Sequence, residues 1–175
     1  MYSRVLMVPE EKLGVVVLTN SMTGIASALA YQILDAYLGG NPSDWSEDGL
    51  QRDRKRRADF YERIKKAITP VAEETTPSLP LDAYTGTYQC QLYGDTVVSV
   101  EDDQLVLRLL PNPKLIADLT HLHYDTFVIR WRNEFAWFAE GTAQFVLNST
   151  GKVVEVKLDV PNDDLWFHEL KLKRR

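Results

Sequence analysis

Two histidines and a carboxylate stand at alternate positions in "HLHYD", residues 121–125. On an extended strand, positions i, i+2 and i+4 point the same way. His121, His123 and Asp125 would then present two imidazoles and a carboxylate on one face, a ligand set suited to zinc or iron. His168, further along, could supply a fourth donor. The competing expectation is a turn. Asp125 stands where the strand should end, and a turn aspartate commonly bonds its own backbone. Two histidines at a strand end are then partly exposed polar residues, and no cofactor is expected.

A second group is aromatic. Trp131, Phe135, Trp137, Phe138, Trp166 and Phe167 crowd the last third of the chain. Placed at the mouth of a barrel, Trp131, Phe135, Trp137 and Trp166 could bind a small apolar or sugar-like ligand. The alternative is that Trp131 and Trp166 fill the barrel core, because small barrels are packed with side chains. A third feature is Ser149-Thr150-Gly151-Lys152, which formally matches the Ser-x-x-Lys of serine acyl-transfer enzymes. That chemistry needs a helix N-terminus that buries the lysine beside the serine. Asn148 to Gly151 reads instead as a hairpin turn, so no catalytic residue is assigned. The single cysteine, Cys90, rules out an internal disulfide and a cysteine-rich zinc site, and reads as a small buried strand residue.

Composition narrows the classes. The chain has 175 residues, 45% hydrophobic and 26% charged, with a formal net charge of −5. A nucleic-acid-binding domain ordinarily carries a basic balance, so no nucleic acid is expected. The cluster Arg52, Arg54, Lys55, Arg56 and Arg57 is interleaved with Asp53, Asp59 and Glu62, and reads as a solvated helix face. No apolar run approaches the roughly 18 residues of a membrane span. Pro9-Glu10-Glu11-Lys12 interrupts any signal-peptide core, so the chain as it stands is expected in the cytoplasm.

The elements that would position these residues fall into two groups. Ser3 to Val8 and Leu13 to Thr19 read as a hairpin. A helix from about Gly24 to Leu38, capped by Ser21 or Thr23 and stopped by Gly39-Gly40, is apolar nearly all round. A second helix runs from about Ser46 to Ala67, capped by Ser43 or Asp44, with Leu50, Ala58, Tyr61, Ile64 and Ile68 as its inner stripe. Pro70, Pro77 and Pro80 mark a linker. About eight short strands follow, near 85–91, 94–101, 104–110, 115–123, 126–132, 142–148, 152–160 and 165–173. Several alternate apolar and polar residues, as half-buried antiparallel strands do. Short turns between them predict an up-and-down barrel or strongly curled sheet.

"PEEKLGVVVLTN", followed by a small-residue helix ending in "ILDAYLGG", resembles the C-terminal end of serine β-lactamase-like domains, the penicillin-binding-protein and esterase relatives. Tyr84-x-Gly86-x-Tyr88, then Tyr124 to Phe127, then Phe145, Gly151 and Val153, resemble an uncharacterised accessory domain that follows such hydrolases. The two resemblances cover nearly the whole chain in the expected order. They imply that the hairpin lay in the sheet of a larger α/β domain. The catalytic Ser-x-x-Lys region would lie upstream of the residues present. They also imply a lipocalin-like barrel in the second position, and full-length enzymes that are commonly exported.

The expected fold is therefore α+β. Residues 1–68 form a hairpin and two helices, the remnant of a β-lactamase-like domain. Residues 69–80 link it to an antiparallel, about eight-stranded β-barrel over 81–175. The expected function is a non-catalytic accessory or binding module. Two alternatives stand beside it: a small-ligand carrier using the barrel interior, and the C-terminal part of a split hydrolase completing its sheet in trans. Leu13, Val15, Val17 and Thr19 are the expected association strand. A second copy or a β-lactamase-like catalytic domain is the expected partner.

Overall fold

The computed structural model describes residues 2–21, 23–40, 43–133, 138–162 and 165–175. The chain divides into two compact units, residues 1–61 and 62–175.

In the first unit, β1 (Tyr2–Val8) and β2 (Leu13–Thr19) form an antiparallel ribbon, in register from Tyr2 opposite Thr19 to Val8 opposite Leu13. Helix α1 (Ile25–Leu38) packs on this ribbon. Its buried residues are Ala26, Ala28 and Ala30, small enough to let the helix backbone approach its neighbours. The helix stops where expected, at Gly39 with φ +69, a left-handed conformation that suits glycine. Its start differs from expectation. Ser21 and Thr23 hydroxyls bond each other at 3.1 Å, and Gly24 occupies the cap position. The Gly24 N–H donates to Asp53 Oδ2 of the second helix at 2.7 Å.

That second helix, α2 (Trp45–Ala67), begins with Asp44 accepting the Glu47 N–H at 2.9 Å, the expected cap. Up to Tyr61 its inward stripe is rotated from the expected one: Gly49, Asp53 and Phe60 are turned in, while Leu50, Ala58 and Tyr61 are exposed. Ile64 and Ile68 are half-buried, as expected. The rotation follows from Asp53, which must face inward to hold Gly24. The basic residues Arg52, Arg54, Lys55, Arg56 and Arg57 are all exposed on α2.

The second unit is a closed antiparallel barrel of eight strands, so the α+β architecture holds. The strands are β3 (Gly86–Cys90), β4 (Gly94–Glu101), β5 (Gln104–Leu109), β6 (Ile116–His123), β7 (Thr126–Trp131), β8 (Gly141–Leu147), β9 (Val153–Asp159) and β10 (Leu172–Arg174). Each pairs with its neighbours in sequence, and β10 closes the barrel between β9 and β3. Leu105, Leu107, Leu109, Leu119, Ile129 and Leu158 fill the interior with Tyr88, Phe127 and Phe145. Cys90 is a buried free thiol.

Two features depart from simple alternation. Val106 and Val128 point away from this core yet are 1% and 5% exposed. Val106 stands between Ser99 and Asp118 in the strand ladder. Ion pairs cross its surroundings: Arg108 with Glu101, and Arg132 with Glu101 and Asp118. The second departure is the expected strand 165–173. Phe167–Glu169 is instead a 3-10 turn, and only Leu172–Arg174 is strand. Phe167 and Leu170 are both buried, a spacing of three that one helical turn satisfies and a strand cannot.

Candidate functional site

The residues singled out for chemistry lie at both ends of the barrel. The connections β4–β5, β6–β7 and β8–β9 share one end with the start of β3. There the turn between β6 and β7 is the centre of a polar cluster. Asp125 accepts the Ser78 N–H at 3.0 Å, the Ser78 hydroxyl at 2.8 Å and the Tyr84 hydroxyl at 2.5 Å. The Leu79 N–H donates back to the Tyr84 hydroxyl at 3.1 Å. The Tyr124 N–H donates to Thr75 Oγ1, and the Val71 N–H to His123 Nδ1. Residues 71–79, expected as a bare linker, are thus fastened across the β6–β7 turn.

This geometry corrects the metal expectation. The β6–β7 register shifts between His121 and His123, so the alternate-face argument fails there. His121 Nε2 lies 2.9 Å from the Tyr124 carbonyl, and His123 turns to Val71. Asp125 spends both oxygens on Ser78 and Tyr84. His168 stacks on Trp166 instead. Among the described residues, no group of His, Cys, Asp or Glu is placed to hold a metal ion.

The electrostatics follow from the contacts. Burial pushes Asp125 up, but the hydrogen bonds from Tyr84 and Ser78 outweigh it, and its carboxyl lies below the usual range. Tyr84 is raised above the ordinary phenol value, first by burial and then by the Asp125 carboxylate. Tyr88 donates to the Tyr84 carbonyl at 2.6 Å, and burial pushes it up to about 12 against the opposing pull of Arg174. A phenol with a raised folded pKa stays neutral while the unfolded chain ionises. Stability is therefore full below pH of about 10 and falls as pH climbs from there. The slope should flatten in Tyr88→Phe, measured as urea unfolding free energy across that range.

Gly86, in the Tyr84-x-Gly86-x-Tyr88 motif, has φ +143, and a β-carbon there would lie 3.1 Å from Arg174 Nε. The Arg174 guanidinium donates to the Ala83 carbonyl at 2.9 Å and to the Thr85 carbonyl. The motif thus ties the start of β3 to the last strand. Ser149 to Lys152 forms the β8–β9 hairpin, as expected. Asn148 Oδ1 accepts the Thr150 and Lys152 N–H groups at 3.0 Å each. This turn supplies no helix N-terminus.

At the opposite end, Trp131 packs against Phe138 and Phe167 with ring centroids 5.5 and 6.0 Å away. Its indole N–H donates to the Ala139 carbonyl at 3.0 Å. Trp131 is therefore part of an aromatic closure of the barrel, while Trp166 is 57% exposed. Phe135 and Trp137 lie outside the described residues. In the first unit, the side chains of Leu13, Val15, Val17 and Thr19 share one face of β2, and none is fully exposed. The opposite face carries the exposed Val5, Met7, Val16 and Leu18. Among the described residues β2 pairs only with β1, and Val16 and Leu18 are its exposed large side chains.

Sequence reasoning missed the fastening of Ser78 and Tyr84 to Asp125. The only signal was the Pro-Ser-Leu-Pro run, whose stiffness suits a strap.

Comparison with curated proteins gives no match, and comparison with solved structures gives none. A family model does match, over residues 71–174, well over half of the chain, and it takes in the strap as well as the barrel. The chain belongs to the family described as Domain of unknown function (DUF3471).

Proposed function

We propose that the chain is a non-catalytic accessory and binding module that works with a serine β-lactamase-like hydrolase domain. The observation that supports this is the sheet of the first unit. It has two strands, with no third strand paired to it among the described residues. Helix α1 covers one face, and Val5, Met7, Val16 and Leu18 lie bare on the other. A lone two-stranded ribbon is marginal in water, and free edges beside an apolar face invite a partner. Two final strands and a final helix would look like this once the rest of a larger α/β sheet is removed. The motif resemblance of Pro9 to Asn20 and of α1 points the same way. The barrel would then be carried beside the catalytic domain and restrict access to its cleft.

Light scattering after size exclusion tests this. The full chain is mixed with a β-lactamase-like catalytic domain lacking its own last two strands and last helix. The expected result is a one-to-one complex and recovered hydrolysis of a chromogenic β-lactam or ester. Residues 69–175 alone should give neither. A full chain that stays monomeric beside the catalytic domain, with its ribbon amides protected, would overturn the proposal. A stable homodimer would assign the ribbon to self-association instead.

A further inference from the structure

We propose that a cleft in the first unit binds a small oxyanion, a phosphate or carboxylate borne on a planar group. The cleft lies among β1, α1 and α2 and has a volume of about 590 Å³. That is within the range of small-molecule sites. Arg4, Arg52 and Arg56 line it, against the single carboxylate of Asp53. Asp53 is already spent: one oxygen takes the Gly24 N–H at 2.7 Å and the other takes Arg56 at 3.0 Å. Positive charge is therefore in excess in a concave site, where the field on an arriving anion is focused.

Arg4 carries the argument further. It sits on the face of the ribbon that packs on α1, where a guanidinium is costly unless paired. Its terminal nitrogen donates to the Tyr31 hydroxyl at 2.9 Å, and its head lies 5.6 Å from the Tyr31 ring centroid. Its Nε is buried, and among the described residues it has no hydrogen-bond partner. Tyr31 thus holds the head in place at the cleft, and the closed-off Nε reports on the head without itself meeting a ligand. A guanidinium in this condition suits an oxyanion, which accepts two parallel N–H bonds. The planar group follows from the wall beside it. Tyr31 and Trp45 pack at a tilt of 34° with centroids 4.8 Å apart, and the Trp45 indole N–H is anchored on Asp35 Oδ2 at 2.6 Å. The start of α1 adds little, because the Gly24 N–H is already taken.

The test is a nitrogen-resolved NMR titration of the full chain with phenyl phosphate and, separately, benzoate. Phenol and sodium chloride at matched ionic strength are the controls. The expected result is a saturable shift of the Arg4 Nε–H and Trp45 indole N–H signals with one or both oxyanions. The tighter ligand identifies phosphate or carboxylate. Binding should weaken at least tenfold in Arg52→Gln and in Arg4→Lys. Arg52 is exposed on α2, so Arg52→Gln decides the matter even if Arg4→Lys fails to fold. Shifts that do not saturate, that chloride reproduces, or that survive Arg52→Gln unchanged would overturn the proposal.

Discussion

Gly141→Ala should be the most damaging conservative change in the barrel, lowering stability by about 3 kcal/mol or more. Gly141 opens β8 and is buried where β8 meets the end of β9. A methyl group there would fall on the Asp159 carbonyl oxygen and lie 2.7 Å from Val160 Cα. Both obstacles are backbone, so no rotamer change relieves them, and the β8–β9 ladder must open. The melting temperature should drop on the order of 10 °C. Gly14→Ala is the control. No atom lies within 4 Å of the added methyl, and Gly14 has no positive φ. Its change should stay within roughly 0.5 kcal/mol. Equal losses for the two would show that the close approach at Gly141 does not exist in solution.

Asp125→Ala should cost about 3 kcal/mol, because it strips an acceptor from three donors at once. The partners are the Ser78 N–H, the Ser78 hydroxyl and the Tyr84 hydroxyl. Tyr84 is fully buried and packs its ring on Phe127 and Phe145 at 5.6 and 4.9 Å. The loss should therefore spread from the strap into the core. The acid limb offers an independent check. The folded carboxyl lies below its ordinary value. Its contribution is therefore present above the unfolded pKa of about 3.9 and disappears as pH falls toward the folded value. Urea unfolding below pH of about 4 should show a shallower acid loss in Asp125→Asn than in the parent chain. Glu101, held low chiefly by Arg108, leaves a residual slope in both. Identical acid limbs would mean that the strap is not fastened through Asp125. Protease cleavage within residues 71–79, faster in Asp125→Ala, reads the same strap directly.

The barrel was legible because its strands repeat with period two. Leu105, Leu107 and Leu109 announce one wall, and Phe127, Ile129 and Trp131 another. The exceptions have physical causes. Phe167 and Leu170 follow a period of three, and a strand template run over them gives the wrong element. Val106 looks solvent-facing in sequence because its ladder neighbours Ser99 and Asp118 are polar. Of the ion-paired residues around it, Arg108 shares its strand, but Glu101, Asp118 and Arg132 come from other segments, and no local window contains them all. The site was harder to read. "HLHYD" has the right residue types for a metal, and the turn expectation for Asp125 was the sounder physical argument. Even that expectation looked for local partners, whereas Ser78 and Tyr84 stand 47 and 41 residues away. Helix α1 was legible in its extent and its C-terminal stop. Its cap was not, since the Gly24 N–H is satisfied by Asp53 from another helix.

The short strand β10 has a kinetic meaning. It holds only three residues, yet the cylinder is not shut until they are seated between β9 and β3. Arg174 reaches back 91 residues to the Ala83 carbonyl. The seven preceding strands can zip hairpin by hairpin through nearby partners, but the pairing of β10 with β3 must wait for segments far apart in sequence to meet. Long-range closure of that kind is slow, because the entropy is lost before the contacts repay it. The molecule therefore has a seam. It lies along β9, β10 and β3, should be the last part to form, and should be the line along which the native barrel first parts its amides to solvent.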